Sequence, residues 1–203
     1  MSTSLPAPGE SPATLSAFSS FAVVLALMAS IVVTGSAVPA QAQERLQLDA
    51  EAFEHNEPIP TRFTCEGEDI SPALSWQHLP EGTETLALLV FDPDVPDPAQ
   101  PRKQWTHWVL WDIPADIEGL AEGASTSLPE GTQEGLNGWK KTGYGGPCPP
   151  IGTHRYIHHL YAVDKKLGPL EASTRRGLME ALAGNVLGRA ELMGTYRKRS
   201  AEP

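Results

Sequence analysis

The sequence predicts an all-β domain with a minor α component. Three observations point there. The 203-residue chain carries 19 prolines and 18 glycines, punctuation dense enough to break it into short extended runs. Its apolar runs, Thr85 to Phe91 above all, have the length of strands and are bounded by turn residues. Only one stretch, near the end, shows helical spacing. The length suits one domain with a sizeable core and is short for two.

Residues 1–42 read as a signal peptide. The run Phe21 to Val33 is apolar and shorter than the roughly 20 residues a membrane span needs. Ala40-Gln41-Ala42 supplies small residues for cleavage. The n-region is atypical, because residues 1–20 hold no Lys or Arg and one acid, Glu10; retention as an N-terminal anchor is the other reading. Residues 43–203 form the domain, and the expected location is periplasmic or secreted. The formal net charge of −10 excludes nucleic acid as a natural partner, since a polyanion would be repelled. Peripheral contact with a membrane stays open, as does the identity of any protein partner.

Within the domain, residues 43–60 read as a polar lead-in with Pro58 and Pro60. Thr85 to Phe91 is apolar throughout, as in a strand covered on both faces. It should stop at Asp92-Pro93-Asp94, where proline interrupts a ladder. Trp105 to Ile113 is a second strand ended by Pro114, and Arg155 to Val163 a third. Residues 114–138 read as a long surface connection. Trp105, Trp108 and Trp111 read as core. Ser173 or Thr174 can cap a helix whose apolar stripe combines Leu178, Leu182 and Val186 with Met179, Ala183 and Leu187. Gly177 and Gly184 weaken it, so it must pack on a sheet.

Cys65 and Cys148 are the two cysteines. In an exported chain they can form a disulfide, stabilising by about 4 kcal/mol for so long a loop in the chain-entropy view. Two buried free thiols are the alternative. No Cys-x-x-Cys pair exists for zinc.

The chemistry gathers at strand ends. Gly143 to Gly152 is a loop of glycines and prolines, rigid yet open to close approach, and it feeds the strand starting His154-Arg155-Tyr156. Alternation sends His154 and Tyr156 to one face and Arg155 to the other. An imidazole and a phenol there can both donate to an anion, with accessible backbone N–H groups of Gly145, Gly146 and Gly152 nearby. Asp92 and Asp94 follow a buried strand, and His107 opens the next one. Two carboxylates would repel a phosphate at close range, so they suit a histidine N–H or an amine. Each element alone reads as a turn or a packed side chain. Together they form a set of acids, imidazoles and a phenol suited to a small phosphorylated or zwitterionic ligand. Two histidines and an acid also admit a metal-dependent hydrolase using His107 and His154. No Gly-x-Ser-x-Gly nucleophile turn, P-loop or dinucleotide fingerprint occurs, so no catalytic residue and no cofactor is assigned. His158 and His159 read as structural, and Arg197-Lys198-Arg199 as a solvated end.

Asp92-Pro93-Asp94-Val95-Pro96, Thr106-His107-Trp108-Val109, and Gly146-Pro147 through His154-Arg155-Tyr156 resemble, in order, three motifs of the phosphatidylethanolamine-binding protein family. The likeness is to its bacterial Raf-kinase-inhibitor-like branch. Asp69 to Trp76 is similar to a further segment, and the resemblance covers most of residues 46–197. It implies a β-sandwich of two antiparallel Greek-key sheets plus the C-terminal helix, and a non-enzymatic anion pocket for phosphate or phospholipid head groups. The pocket residues it implies are Asp92, His107, Pro147, His154 and Tyr156, with a cis bond at Val95–Pro96. Family members that regulate kinases or inhibit proteases imply, as an alternative, an inhibitor of a partner enzyme. Cys148 inside the pocket loop departs from the pattern; bonded to Cys65, it would staple that loop.

Overall fold

The computed structural model of the protein describes residues 45–199; the signal-peptide reading of residues 1–42 lies outside them. Eight strands and one helix follow in the order β1 (Gln47–Ala50), β2 (Leu74–Gln77), β3 (Thr85–Val95), β4 (Lys103–Pro114), β5 (Gly119–Leu120), β6 (Gln133–Glu134), β7 (Thr153–Val163), α1 (Arg175–Leu182) and β8 (Val186–Arg197). They build two antiparallel sheets, a small one ordered β1-β2-β5 and a large one ordered β6-β4-β3-β7-β8. The run β7-β3-β4-β6 has the spatial order of a Greek key, with the fourth strand returning beside the first.

Burial by apolar side chains explains why β3 sits at the centre. Leu86, Leu88 and Val90 face the small sheet, where they join Leu48, Trp76 and Leu120 in the main core. Ala87, Leu89 and Phe91 face the other way and meet Leu178 and Leu182 of α1. The strand is therefore covered on both faces, as its unbroken apolar run requires. β4 divides its tryptophans between the layers, Trp108 inside the sandwich and Trp111 under the helix. Each indole N–H keeps an acceptor: Trp108 donates to Glu134 at 2.7 Å and Trp111 to the Gly168 carbonyl at 2.8 Å. Such pairing is what lets tryptophan be buried without an orphaned donor.

Local details differ from the sequence reading. β3 does not stop at Phe91 but runs on through Asp92-Pro93-Asp94 to Val95, with a register shift across the proline. That is where a residue lacking an N–H is tolerated. The polar lead-in contains β1, and the long connection contains β5 and β6. α1 is capped by the Thr174 hydroxyl, which accepts from the Gly177 amide, and it ends at Leu182. Gly184 at φ +81° turns the chain, so Val186 and Leu187 leave the helical stripe and open β8 as exposed side chains. The helix is thus the penultimate element, and an edge strand closes the fold.

Leu160 is fully buried in the main core. Leu160→Ala should lower the free energy of unfolding by about 2–5 kcal/mol in a urea melt; a loss well under 1 kcal/mol would contradict the described packing.

Candidate functional site

At one end of the large sheet, β3 and β7 stop exchanging backbone bonds. Their register ends at Phe91 opposite Ile157. Beyond it, Asp92 and Asp94 take over. Asp92 Oδ2 lies 2.6 Å from His154 Nδ1, and Asp92 Oδ1 accepts the Asp94 amide at 2.7 Å. Asp94 Oδ2 accepts both the backbone amide and the Nε of Arg155 at 2.9 Å, while its Oδ1 accepts from the second guanidinium nitrogen at 2.6 Å. Two carboxylates two positions apart therefore clamp His154 and Arg155, the second and third residues of β7. Strand alternation makes this possible, with His154 and Tyr156 buried inward and Arg155 on the outer face.

This corrects the expectation for Asp94, which is committed to Arg155 and is absent from the pocket lining. It also changes the part of His154. Its second nitrogen lies 3.0 Å from the Ile151 carbonyl, so it presents no free nitrogen to a ligand and holds Asp92 in place. Gly146 supplies no free amide either, because its N–H donates to Asp69 Oδ1 at 2.7 Å. A Cβ at Gly146 would stand 2.3 Å from the Phe63 carbonyl oxygen, so glycine is required there for close approach of the two loops. The Pro147 carbonyl accepts the Cys65 amide at 3.2 Å, and Cys65 and Cys148 are bonded, with Cα atoms 5.5 Å apart. Val95–Pro96 is cis.

The pocket, a cavity of about 280 Å³, opens between β3, β4 and this loop. Asp92, His107 and Cys148 line it, with Lys103, Trp105 and Trp139 around them. Trp139 ties the walls together, edge-on to Trp105 at 5.4 Å and to His107 at 5.3 Å between ring centroids, and is itself 43% exposed. Lys103 lies over the Trp105 ring at 4.6 Å, a cation–π contact that holds a positive charge at the mouth. His107 Nδ1 meets the Gly145 carbonyl at 2.5 Å. Its Nε2 is buried without a partner, and so is the hydroxyl of Tyr156, whose ring packs edge-on against His107 at 5.1 Å.

Burial dominates the electrostatics. It pushes the His107 imidazole down to about 4, against the pull of the Gly145 and Gly146 carbonyls. It lifts the Asp92 carboxyl above its ordinary value, with the His154 contact and the Asp94 amide opposing. It raises the Tyr156 phenol, and the Asp92 charge adds to that. Burial also works to raise Asp94, but the hydrogen bonds and charge of Arg155 win and hold it below 3.8.

Asp92 and His107 line the pocket, with Tyr156 stacked on His107 behind it. Lys103 and Trp139 were missed, and Trp105 lines the pocket rather than the core assigned to it. The available signal for Trp139 was a lone tryptophan in a polar stretch, Asn137-Gly138-Trp139-Lys140-Lys141, where an apolar ring has no local reason to be. His158 and His159 face opposite ways, the first buried against Phe53, the second bonded to Glu191 at 2.8 Å. Among the described residues no group of three or more His, Cys, Asp or Glu side chains is placed to hold a metal ion.

Two antiparallel sheets with a polar pocket at the strand ends define a ligand-binding β-sandwich. The chain belongs to the phosphatidylethanolamine-binding protein family, whose pattern it matches over residues 49–197. A UPF0098 protein of Methanothermobacter thermautotrophicus is 44% identical over 155 residues, which span 75% of this chain and 99% of that one. Among solved structures, a putative phosphatidylethanolamine-binding protein homologue from Chlamydia trachomatis is 39% identical with a TM-score of 0.69, covering 76% of this chain and 99% of its own. YbcL of E. coli is 29% identical at the same TM-score of 0.69, covering 77% and 100%.

The clamp on β7 gives a pH signature. Arg155 has a half-exposed side chain, 52% accessible, so solvent screening discounts the pair. Arg155→Met should cost on the order of 1–2 kcal/mol near neutral pH. Because the Asp94 pKa is depressed on folding, its contribution is complete above the unfolded value of 3.8 and is lost as pH falls through the lower folded value. Melts of wild type and variant should converge as pH falls below the ordinary carboxylate range; a gap that stays constant with pH would refute the assignment.

Proposed function

We propose that the protein binds a small phosphorylated or zwitterionic ligand, such as phosphate or a phosphoethanolamine head group, and performs no chemistry on it. The observation that carries this reading is the pair of unpartnered buried atoms, His107 Nε2 and the Tyr156 hydroxyl. Buried polar atoms are almost always satisfied, and leaving one bare costs about 1–3 kcal/mol. A ligand group that brings a hydrogen to Nε2 and accepts from the phenol removes that cost. Lys103 at the mouth favours a negative ligand in an otherwise acidic protein. The Asp92 carboxyl, held by His154, faces the same cavity and suits an amine on the ligand. Trp105 and Trp139 supply the apolar walls that bury the rest of a small ligand.

The reading extends to an oxidising compartment, periplasm or exterior, where the bond between Cys65 and Cys148 persists. Thiol alkylation without reductant, followed by mass spectrometry, should find both cysteines blocked in protein taken from its native compartment; ready labelling of both would count against that location.

Calorimetry with phosphoethanolamine and inorganic phosphate tests the ligand directly, and absence of heat at millimolar concentrations from folded protein would overturn the reading. Tyr156→Phe separates binding from folding. It should weaken phosphoethanolamine binding by roughly 10-fold or more, yet leave the melting temperature equal or higher because an unsatisfied hydroxyl is removed. Unchanged affinity would remove Tyr156 from the site.

A further inference from the structure

The protonation state of His107 decides which oxyanion the pocket accepts. The Gly145 carbonyl carries only lone pairs, so the nitrogen 2.5 Å from it, Nδ1, holds the hydrogen. In a neutral ring the other nitrogen then presents a lone pair. Trp139 and Tyr156 stand edge-on against the imidazole at 5.3 and 5.1 Å, which opposes turning the ring over. Nε2, buried and unpartnered, is therefore an acceptor awaiting a donor, and the neighbouring Asp92 carboxylate is a second acceptor on the same cavity. A fully ionised oxyanion would set lone pairs against lone pairs.

We infer that the pocket takes its oxyanion together with a proton shared with His107 Nε2, and so selects phosphomonoesters, which can carry that proton, over phosphodiesters and sulfate, which cannot. This rests on the small-ligand reading above and narrows it to one ligand class. The proton is either the acidic hydrogen of the ligand, donated from P–OH to Nε2, or one taken from solvent onto Nε2, which then donates to the oxyanion. A phosphomonoester has its second pKa near about 6 and carries that hydrogen in part at neutral pH. A diester or sulfate is a strong acid and leaves only the solvent route. Burial holds the His107 imidazole down near about 4, so that route is costly at neutral pH.

The groups that face the imidazole are few. β7 contributes Tyr156 and His154, β3 contributes Asp92, and β4 contributes Lys103 at the mouth. The 143–150 loop offers only backbone and the bonded Cys148 sulfur, and His158 lies deeper along β7. Asp92 is already hydrogen-bonded to His154. Lys103 is the one cation at the mouth among the described pocket residues. It attracts every anion alike and so does not discriminate by protonation.

Proton uptake makes affinity rise as pH falls. The test is calorimetry on the disulfide-intact protein with phosphoethanolamine, glycerophosphoethanolamine and sulfate, between about pH 5 and pH 7.5, in two buffers of different ionisation heat. Phosphoethanolamine should bind at least about tenfold more tightly than the diester or sulfate near pH 7. The diester should gain affinity towards pH 5, with net proton uptake read from the buffer dependence. Equal affinities with no pH slope and no uptake would overturn this inference and leave the small-ligand reading standing. Failure of all three ligands to bind would overturn that reading itself. His107→Gln places an amide donor where the lone pair stood, so the preference for the monoester and the pH slope should both collapse. A folded variant that keeps both would remove His107 from the role. If the variant does not fold, the buffer dependence of the wild type still decides.

Discussion

Two carboxylates at the end of β3 carry the architecture of this site. The ladder between β3 and β7 ends at Phe91 and Ile157, and past that point the strands are held by Asp92 on His154 and by Asp94 on Arg155. Side chains are longer than a backbone hydrogen bond, so the strands can separate there while staying tied. The space so opened, closed on its other side by the glycine-proline loop, is the pocket. Proline at position 93 fits because no ladder partner asks for its missing N–H. The arrangement also keeps the buried acids from being liabilities. Each has a donor on β7, and an unpaired buried carboxylate would cost far more than either pair contributes.

The loop opposite is held by contacts of a different kind. Tyr144 donates to the Phe63 carbonyl at 3.0 Å, Gly146 donates to Asp69, and the disulfide joins the same two segments. The Gly146 amide is spent on this attachment, and the Gly145 amide donates to the His107 carbonyl at 3.1 Å. The charged and imidazole side chains lining the cavity, Asp92, Lys103 and His107, stand on the strands. That division, a fixed wall and a few buried polar atoms, keeps the cost of ordering the site low when a ligand enters.

The parts of this legible in the sequence were those governed by short-range rules. The double-sided burial of β3 followed from its unbroken apolar run, and the inward turn of His154 and Tyr156 from strand alternation. The alternating Ala190, Leu192 and Tyr196 of β8 are buried and were readable in the same way, but helical spacing through Val186 and Leu187 competed with them. Gly184 at positive φ decided the matter, and nothing local reveals a turn whose need comes from the next strand. Pairings between distant residues were the least accessible. That Asp94 would be claimed by Arg155 depends on how β3 and β7 diverge, and Trp139 reaches His107 only because the loop folds back across β4. Side-chain type announced a polar cluster at the strand ends; which members would spend their hydrogen bonds on each other required the third dimension.

The bond between Cys65 and Cys148 has a topological meaning. It closes a covalent ring, and Asp92, Lys103, Trp105, His107 and Trp139 all lie on that ring, whereas His154 and Tyr156 reach it from outside through β7. The cavity is thus an opening in a closed loop of chain with a single strand laid across it. A cut anywhere between the two cysteines would leave both new ends attached to the same molecule, and no fragment carrying a wall of the pocket could diffuse away. Outside the ring no such tether exists. Among the described parts of the chain, resistance to losing pieces is therefore concentrated on the side that holds the pocket.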